Sequence, residues 1–109
     1  MLESDISAND RRVKRTMAGE TDAIAINGPL DFNDTLIVTM VQQIINEGKK
    51  ALALDLSKAS YVSSPGIATI IKVIKKLQVV GGQLLIIGAT PDMINCFSTA
   101  RIDRFMKFM

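Results

Sequence analysis

Residues 51–70 read ALALDLSKASYVSSPGIATI, and the pattern changes twice within those letters. Ala51 to Leu56 form a short, nearly continuous apolar run, the kind that suits a strand covered on both faces in a sheet with crossover helices. Beyond Gly66 the spacing becomes helical: Ile67, Ile70, Ile71, Ile74 and Leu77 fall on one stripe, and Lys72, Lys75 and Lys76 mark a wet flank. Between these patterns stand two hydroxyls, a proline and a glycine. Ser64-Pro65 has the composition of a helix start. Serine at the N-cap accepts a hydrogen bond from a free amide of the first turn, worth about 1 kcal/mol. Proline at the first helical position has a preset φ and lacks an amide that would go unpaired there. The stretch reads as a strand, an opening and a helix.

Upstream, the spacing predicts strands over about Arg12 to Ala18 and Thr21 to Asn27, joined by a turn at Gly19-Glu20. Ile24 and Ile26 face one way and Ala23 and Ala25 the other, and Gly28-Pro29 is expected to break the second strand. Asn33 and Asp34 offer N-caps for a helix in which Leu36, Met40 and Ile44 repeat every four residues, with Ile37, Val41 and Ile45 beside them. Gly48 sits where a C-terminal glycine ends such a helix. Downstream, Gly81-Gly82 closes the second helix, QLLIIG (residues 83–88) is another strand, and Thr90-Pro91 repeats the hydroxyl-proline helix start. Met93, Ile94 and Phe97 are the expected inner side of that third helix. FMKFM (residues 105–109) is a final strand or a packed tail.

The fold class that follows is α/β: a mixed sheet of four to five strands with an opening hairpin, parallel crossovers and three helices. A chain of 109 residues suits a single domain over 1–109, with residues 1–9 as a loose lead-in. Hydrophobic residues make up 48% of it, enough for a core, and at 5% aromatic content that core is aliphatic.

Composition narrows function by exclusion. The chain has no histidine, which removes histidine-based triads and zinc-protease motifs. Its single cysteine, Cys96, makes no internal disulfide and reads as a buried small hydrophobe, in keeping with a cytoplasmic location. The net charge of +2 is too small to mark a nucleic-acid binder, and the cluster Arg11, Arg12, Lys14 and Arg15 reads as a solvated strand face or edge. No apolar stretch is long enough for membrane insertion as a helix. Asp31, Asp34 and Asp55 have no pairing at a spacing that acid–base catalysis uses. Gly81-Gly82 precedes a strand and is no nucleotide fingerprint. The chain is therefore expected to be no enzyme, with no catalytic residues, no cofactor and no metal. Asp55 is a strand-end residue suited to a capping or turn contact near Ser57 and Ser60.

The order of elements, together with INGPLD (26–31), LALDLSKASYVSSPGIATI (52–70) and LQVVGGQLLIIGATPDM (77–93), resembles the STAS domain of bacterial anti-sigma factor antagonists. The resemblance covers roughly residues 12–109. Members carry an aspartate, two hydroxyl residues and a glycine before the apolar helix. Here Ser63 falls on the aspartate, Ser64 on the first hydroxyl, Pro65 on the second and phosphorylated one, and Gly66 on the glycine. The resemblance implies a regulatory protein-binding domain. Such a domain binds an anti-sigma factor that is itself a serine kinase, and so releases a sigma factor and acts in transcription regulation. It implies a partner surface at Asp31, Ser63, Ser64, Pro65 and Gly66. Because proline accepts no phosphate, Ser64 and then Ser63 are the remaining phosphorylation candidates. The alternative is a phosphorylation-independent scaffold in a stressosome-like assembly or a lipid transporter complex. The expected state is monomer or weak homodimer.

Overall fold

The computed structural model describes residues 13–31 and 35–109. Two antiparallel strands open the fold, β1 (Val13–Ala18) and β2 (Thr21–Leu30), joined through Gly19 at φ +63°. Alternation follows: α1 (Thr35–Asn46), β3 (Ala51–Val62), α2 (Ser64–Val79), β4 (Gln83–Ile87), α3 (Pro91–Thr99), and β5 (Met106–Phe108) after a 3-10 turn. The sheet order is β1-β2-β3-β4-β5, antiparallel at the first pair and parallel at the other three. The five-stranded mixed sheet with its hairpin and three helices is the α/β fold expected, and the chain end is its last strand.

Register determines which side chains share a face, because cross-strand partners point the same way. Val13, Ile24, Ile26, Leu52, Leu54, Leu84, Ile86 and Met106 share one face. They merge into a single core with Ile37, Val41 and Ile44 of α1, Ile70, Val73 and Leu77 of α2, and Met93 and Phe97 of α3. All three helices thus cover one face, as right-handed crossovers between successive parallel strands require. The other face presents Lys14, Thr16, Ala23, Ala25, Ala53, Asp55, Leu85 and Ile87. The apolar run at 51–56 is therefore an alternation of large inward leucines with small outward residues, and among the described residues helices pack on its inward side alone. Ala53 is buried as well, a methyl placed between Ala23 and Leu85 of the neighbouring strands.

Two strand boundaries and one helix face differ from the sequence reading. Gly28-Pro29 does not break β2, which runs on to Leu30 with Gly28 at φ +88°. β3 runs past Leu56 to Val62, and against β2 it holds an extra residue between Asp55 and Lys58 and again between Ala59 and Val62. The burial over 56–62 then repeats every third residue: Leu56, Ala59 and Val62 are inside, and Ser57, Lys58, Ser60 and Tyr61 are outside. Two bulges in series produce that pattern, since each adds one outward residue. The inner side of α2 is also turned from the stripe expected. Gly66, Thr69, Ile70, Val73, Ile74 and Leu77 are buried, while Ile67 and Ile71 are half-buried on the flank. Val73 takes the central place, three residues from Ile70 and four from Leu77. The expected caps Asn33 and Asp34 lie outside the described residues, as do Arg11 and Arg12.

Strand alternation splits the basic cluster between faces. Arg15 lies on the helix side, where it donates to Asp22 at 2.9 Å and to Glu47 at 2.6 and 2.9 Å, and Lys49 reaches Asp22 at 2.8 Å. Asp22 is only 5% exposed, and its two hydrogen-bonded cations, Lys49 foremost, hold its carboxyl below the ordinary range. This network ties the end of α1 to the hairpin.

Candidate partner-docking rim at the start of α2

β2, β3 and β4 end at one pole of the sheet, and the three helices begin there. α2 starts where β3 ends, with Ser63 as its N-cap in extended conformation (φ −110°, ψ −179°). This moves the expected cap back by one residue. Ser64 and Pro65 are the first two helical residues and both are exposed. The Ser63 hydroxyl makes no capping bond. Its oxygen is buried without a hydrogen-bond partner among the described residues. The comparable start at Thr90-Pro91 behaves as expected, with Thr90 Oγ1 accepting from the Met93 amide at 3.2 Å. The two look alike in sequence, and only one is capped by its hydroxyl.

The Ser63 backbone fixes the rim instead. Its N–H donates to the Leu30 carbonyl at 3.0 Å, which ties the start of α2 to the last residue of β2. Gly66 packs against the same carbonyl so closely that a Cβ there would overlap its oxygen. Gly66 is buried, so it serves this close approach and is not itself on the surface. Asp31 follows Leu30 directly and is exposed. The Tyr61 hydroxyl donates to Asp31 Oδ2 at 2.9 Å, and the carboxylate raises the Tyr61 pKa above its ordinary value. The structure thus brings Asp31, Ser63, Ser64, Pro65 and Gly66 together at one edge. It adds Tyr61, which sequence reasoning missed. The signal was its place as an exposed aromatic among small polar residues just before the serines.

A groove of about 490 Å³ runs beside this rim, lined by Val62, Ser63, Ser64, Ile67, Cys96, Thr99 and Ala100. Cys96 is exposed in that groove, contrary to its reading as a buried hydrophobe. α3 turns Met93 and Phe97 inward, four residues apart, and Cys96 lies about 100° round the helix from Phe97. Asp55 makes the local contact expected of it, accepting from both the backbone N–H and the hydroxyl of Ser57. Among the described residues, no group of three or more histidine, cysteine, aspartate or glutamate side chains is arranged to hold a metal ion. No helix among them is long and apolar enough to cross a membrane.

Fold and rim together define a small α/β domain whose exposed polar edge stands at a helix N-terminus. The chain belongs to the STAS domain family, whose family model matches residues 15–109. No curated protein matches it in sequence. Among solved structures it is similar to the Bacillus cell fate determinant SpoIIAA in the phosphorylated form, at 20% identity and a TM-score of 0.68, with 89% of this chain and 90% of that one covered. An anti-sigma factor antagonist from Mycobacterium paratuberculosis superposes at 14% identity and a TM-score of 0.71, covering 88% and 82% of the two chains. A variant of RsbS from Moorella thermoacetica does so at 17% and 0.66, covering 90% and 86%. At these identities the likeness is one of fold.

Proposed function

We propose that this STAS domain is a regulatory binding protein of the anti-sigma factor antagonist type, and that it docks its partner through the rim of Asp31, Tyr61, Ser63, Ser64 and Pro65. One observation carries the reading. Ser64 and Pro65 stand exposed at the first turn of α2, held there by the Ser63 amide and Gly66 against Leu30. The partner is an anti-sigma factor with serine-kinase activity, whose capture releases a sigma factor; this chain supplies only the surface. Pro65, at the position the resemblance assigns to the phosphoacceptor, favours docking without phosphorylation, the mode a scaffold assembly also uses. Ser64 is the remaining hydroxyl at the solvent edge. A phosphoryl group there adds about −1.5 to −2 charges at the helix N-terminus.

Calorimetric titration of a kinase-type anti-sigma factor tests the reading. Wild type and Ser64→Ala are expected to bind alike. Ser64→Asp is expected to bind at least about tenfold more weakly, because a carboxylate must be desolvated in the interface. Equal affinity for Ser64→Asp removes the rim from the interface. Intact mass after incubation with the kinase and ATP is expected to show little labelling of wild type and more of Pro65→Ser. Efficient wild-type labelling that vanishes in Ser64→Ala overturns the phosphorylation-independent mode.

A further inference from the structure

The sheet face opposite the described helices has a concavity of its own. It measures about 320 Å³, and its lining includes Lys14 and Thr16 of β1, Ala25 and Asn27 of β2, and Asp55, Ser57 and Lys58 of β3. Its shape follows from side-chain size. On this face the register places the methyl of Ala25 between the longer side chains of Lys14 on one side and Asp55 on the other. A small residue flanked by larger ones leaves a hollow.

The first β3 bulge supplies its far wall. The extra residue between Asp55 and Lys58 leaves both Ser57 and Lys58 exposed on the trough side, with Lys58 opposite Asn27. Two contacts hold that bulge in place. Asp55 accepts from the Ser57 amide and hydroxyl, and Gly88 (φ +72°) lies so close that a Cβ there would stand 2.6 Å from the Cβ of Ser57. Lys14 and Lys58 are rooted two strand spacings apart, about 10 Å laterally, so their flexible stems can converge above Ala25. Both are exposed, and neither has an ion-pair or hydrogen-bond partner among the described residues. Among the described residues Asp55 is the one carboxylate lining the trough, and its Oδ1 is already engaged by Ser57. Two unpaired cations therefore face one partly satisfied anion, beside the Asn27 amide and the Thr16 hydroxyl as further donors.

We propose that this trough is a binding site for a small phosphoryl-bearing anion, held between Lys14 and Lys58 with Asn27 and Thr16 as neutral donors. It binds by side chains, in a chain that has no glycine loop of the phosphate-cradling kind. It lies on the face opposite the helices and stands independently of the docking rim.

The test is an amide-resolved NMR titration of the whole chain with inorganic phosphate and, separately, glycerol phosphate, against sodium chloride at matched ionic strength. Saturable shifts are expected at Ala25, Asn27, Ser57 and Lys58, with a dissociation constant on the order of 1 mM, as suits a few charge-assisted bonds in an open trough. Saturation with inorganic phosphate alone identifies the free ion as ligand, and tighter saturation with glycerol phosphate identifies an organic phosphate. The Lys14→Gln/Lys58→Gln double variant is expected to lose about tenfold or more in affinity with its spectrum otherwise preserved, since both side chains are exposed. The proposal fails if neither phosphate shifts these amides beyond the chloride control, or if the double variant binds as wild type does.

Discussion

Gly66→Ala sets two effects of opposite sign against each other beneath the proposed docking rim. Gly66 lies within α2 and its φ is not in the left-handed region, so alanine has no backbone penalty there. Helix propensity alone makes the change stabilising by up to about 1 kcal/mol. Packing opposes it. The added methyl would overlap the Leu30 carbonyl oxygen and stand 2.9 Å from the Leu30 carbonyl carbon and 3.0 Å from its Cγ. Ordinary carbon contacts lie at about 3.5–4.0 Å. The oxygen it meets is backbone and already accepts from the Ser63 amide at 3.0 Å, so relief requires the start of α2 to move outward. Overpacking costs about 1–3 kcal/mol and the strained hydrogen bond about 1 more. The net expectation is a loss of about 1–3 kcal/mol, read as a fall of about 1 M in the urea midpoint at constant slope. Gly82→Ala is the matched control, because its methyl would press on the Lys50 carbonyl and the Leu77 side chain, residues outside the rim. Both variants are expected to lose stability, and only Gly66→Ala to lose partner affinity as well. A Gly66→Ala midpoint equal to or above that of wild type would show that propensity wins, and the close approach would then not be what positions the rim.

Ile70→Ala is expected to cost about 2–5 kcal/mol in chemical denaturation, since Ile70 is fully buried. Ile71→Ala is expected to cost clearly less, and equal losses would show that the α2 face is assigned wrongly. Thr90→Ala removes a capping acceptor and is expected to cost about 1 kcal/mol, whereas Ser64→Ala, which removes no cap, should leave the melting midpoint nearly unchanged. Asp22→Asn should lower stability at neutral pH by about 1–3 kcal/mol through its bonds to Lys49 and Arg15. The folded-state pKa of Asp22 is depressed, so its contribution is complete above the unfolded value of about 3.9 and fades as pH falls through the lower folded value. Denaturation curves of the two proteins should therefore converge in acid, and a gap that stays constant from pH 7 down to strong acid refutes the role given to the network.

Element order, the parallel crossovers and the Thr90-Pro91 helix start were legible in the letters, because each rests on local patterning: the short apolar runs at 51–56 and 83–87, four-residue repeats in α1, glycines at 48 and 81 ending helices. The motif around Ser63 to Gly66 was legible as well, as a hydroxyl, proline and glycine at the start of a helix. What the letters left open depended on contacts between strands. Whether Gly28-Pro29 stops β2 is decided by β3 beside it, which pairs on through Leu30 by taking up two bulges. The three-residue spacing of Leu56, Ala59 and Val62 was visible, but it fits neither a helix nor a flat strand, and only the pairing with β2 gives it meaning. Tyr61 meets Asp31 across thirty residues of chain, and Ser63 is the cap because its amide reaches Leu30, a choice the adjacent Ser64 would have matched on propensity alone. Cys96 faces the groove for a similar reason: the rotation of a short amphipathic helix follows from which residues fill the space above the sheet, and Met93 and Phe97 fill it. Periodicity is a property of neighbours along the chain and can be read there, whereas register, rotation and close approach are properties of neighbours across it.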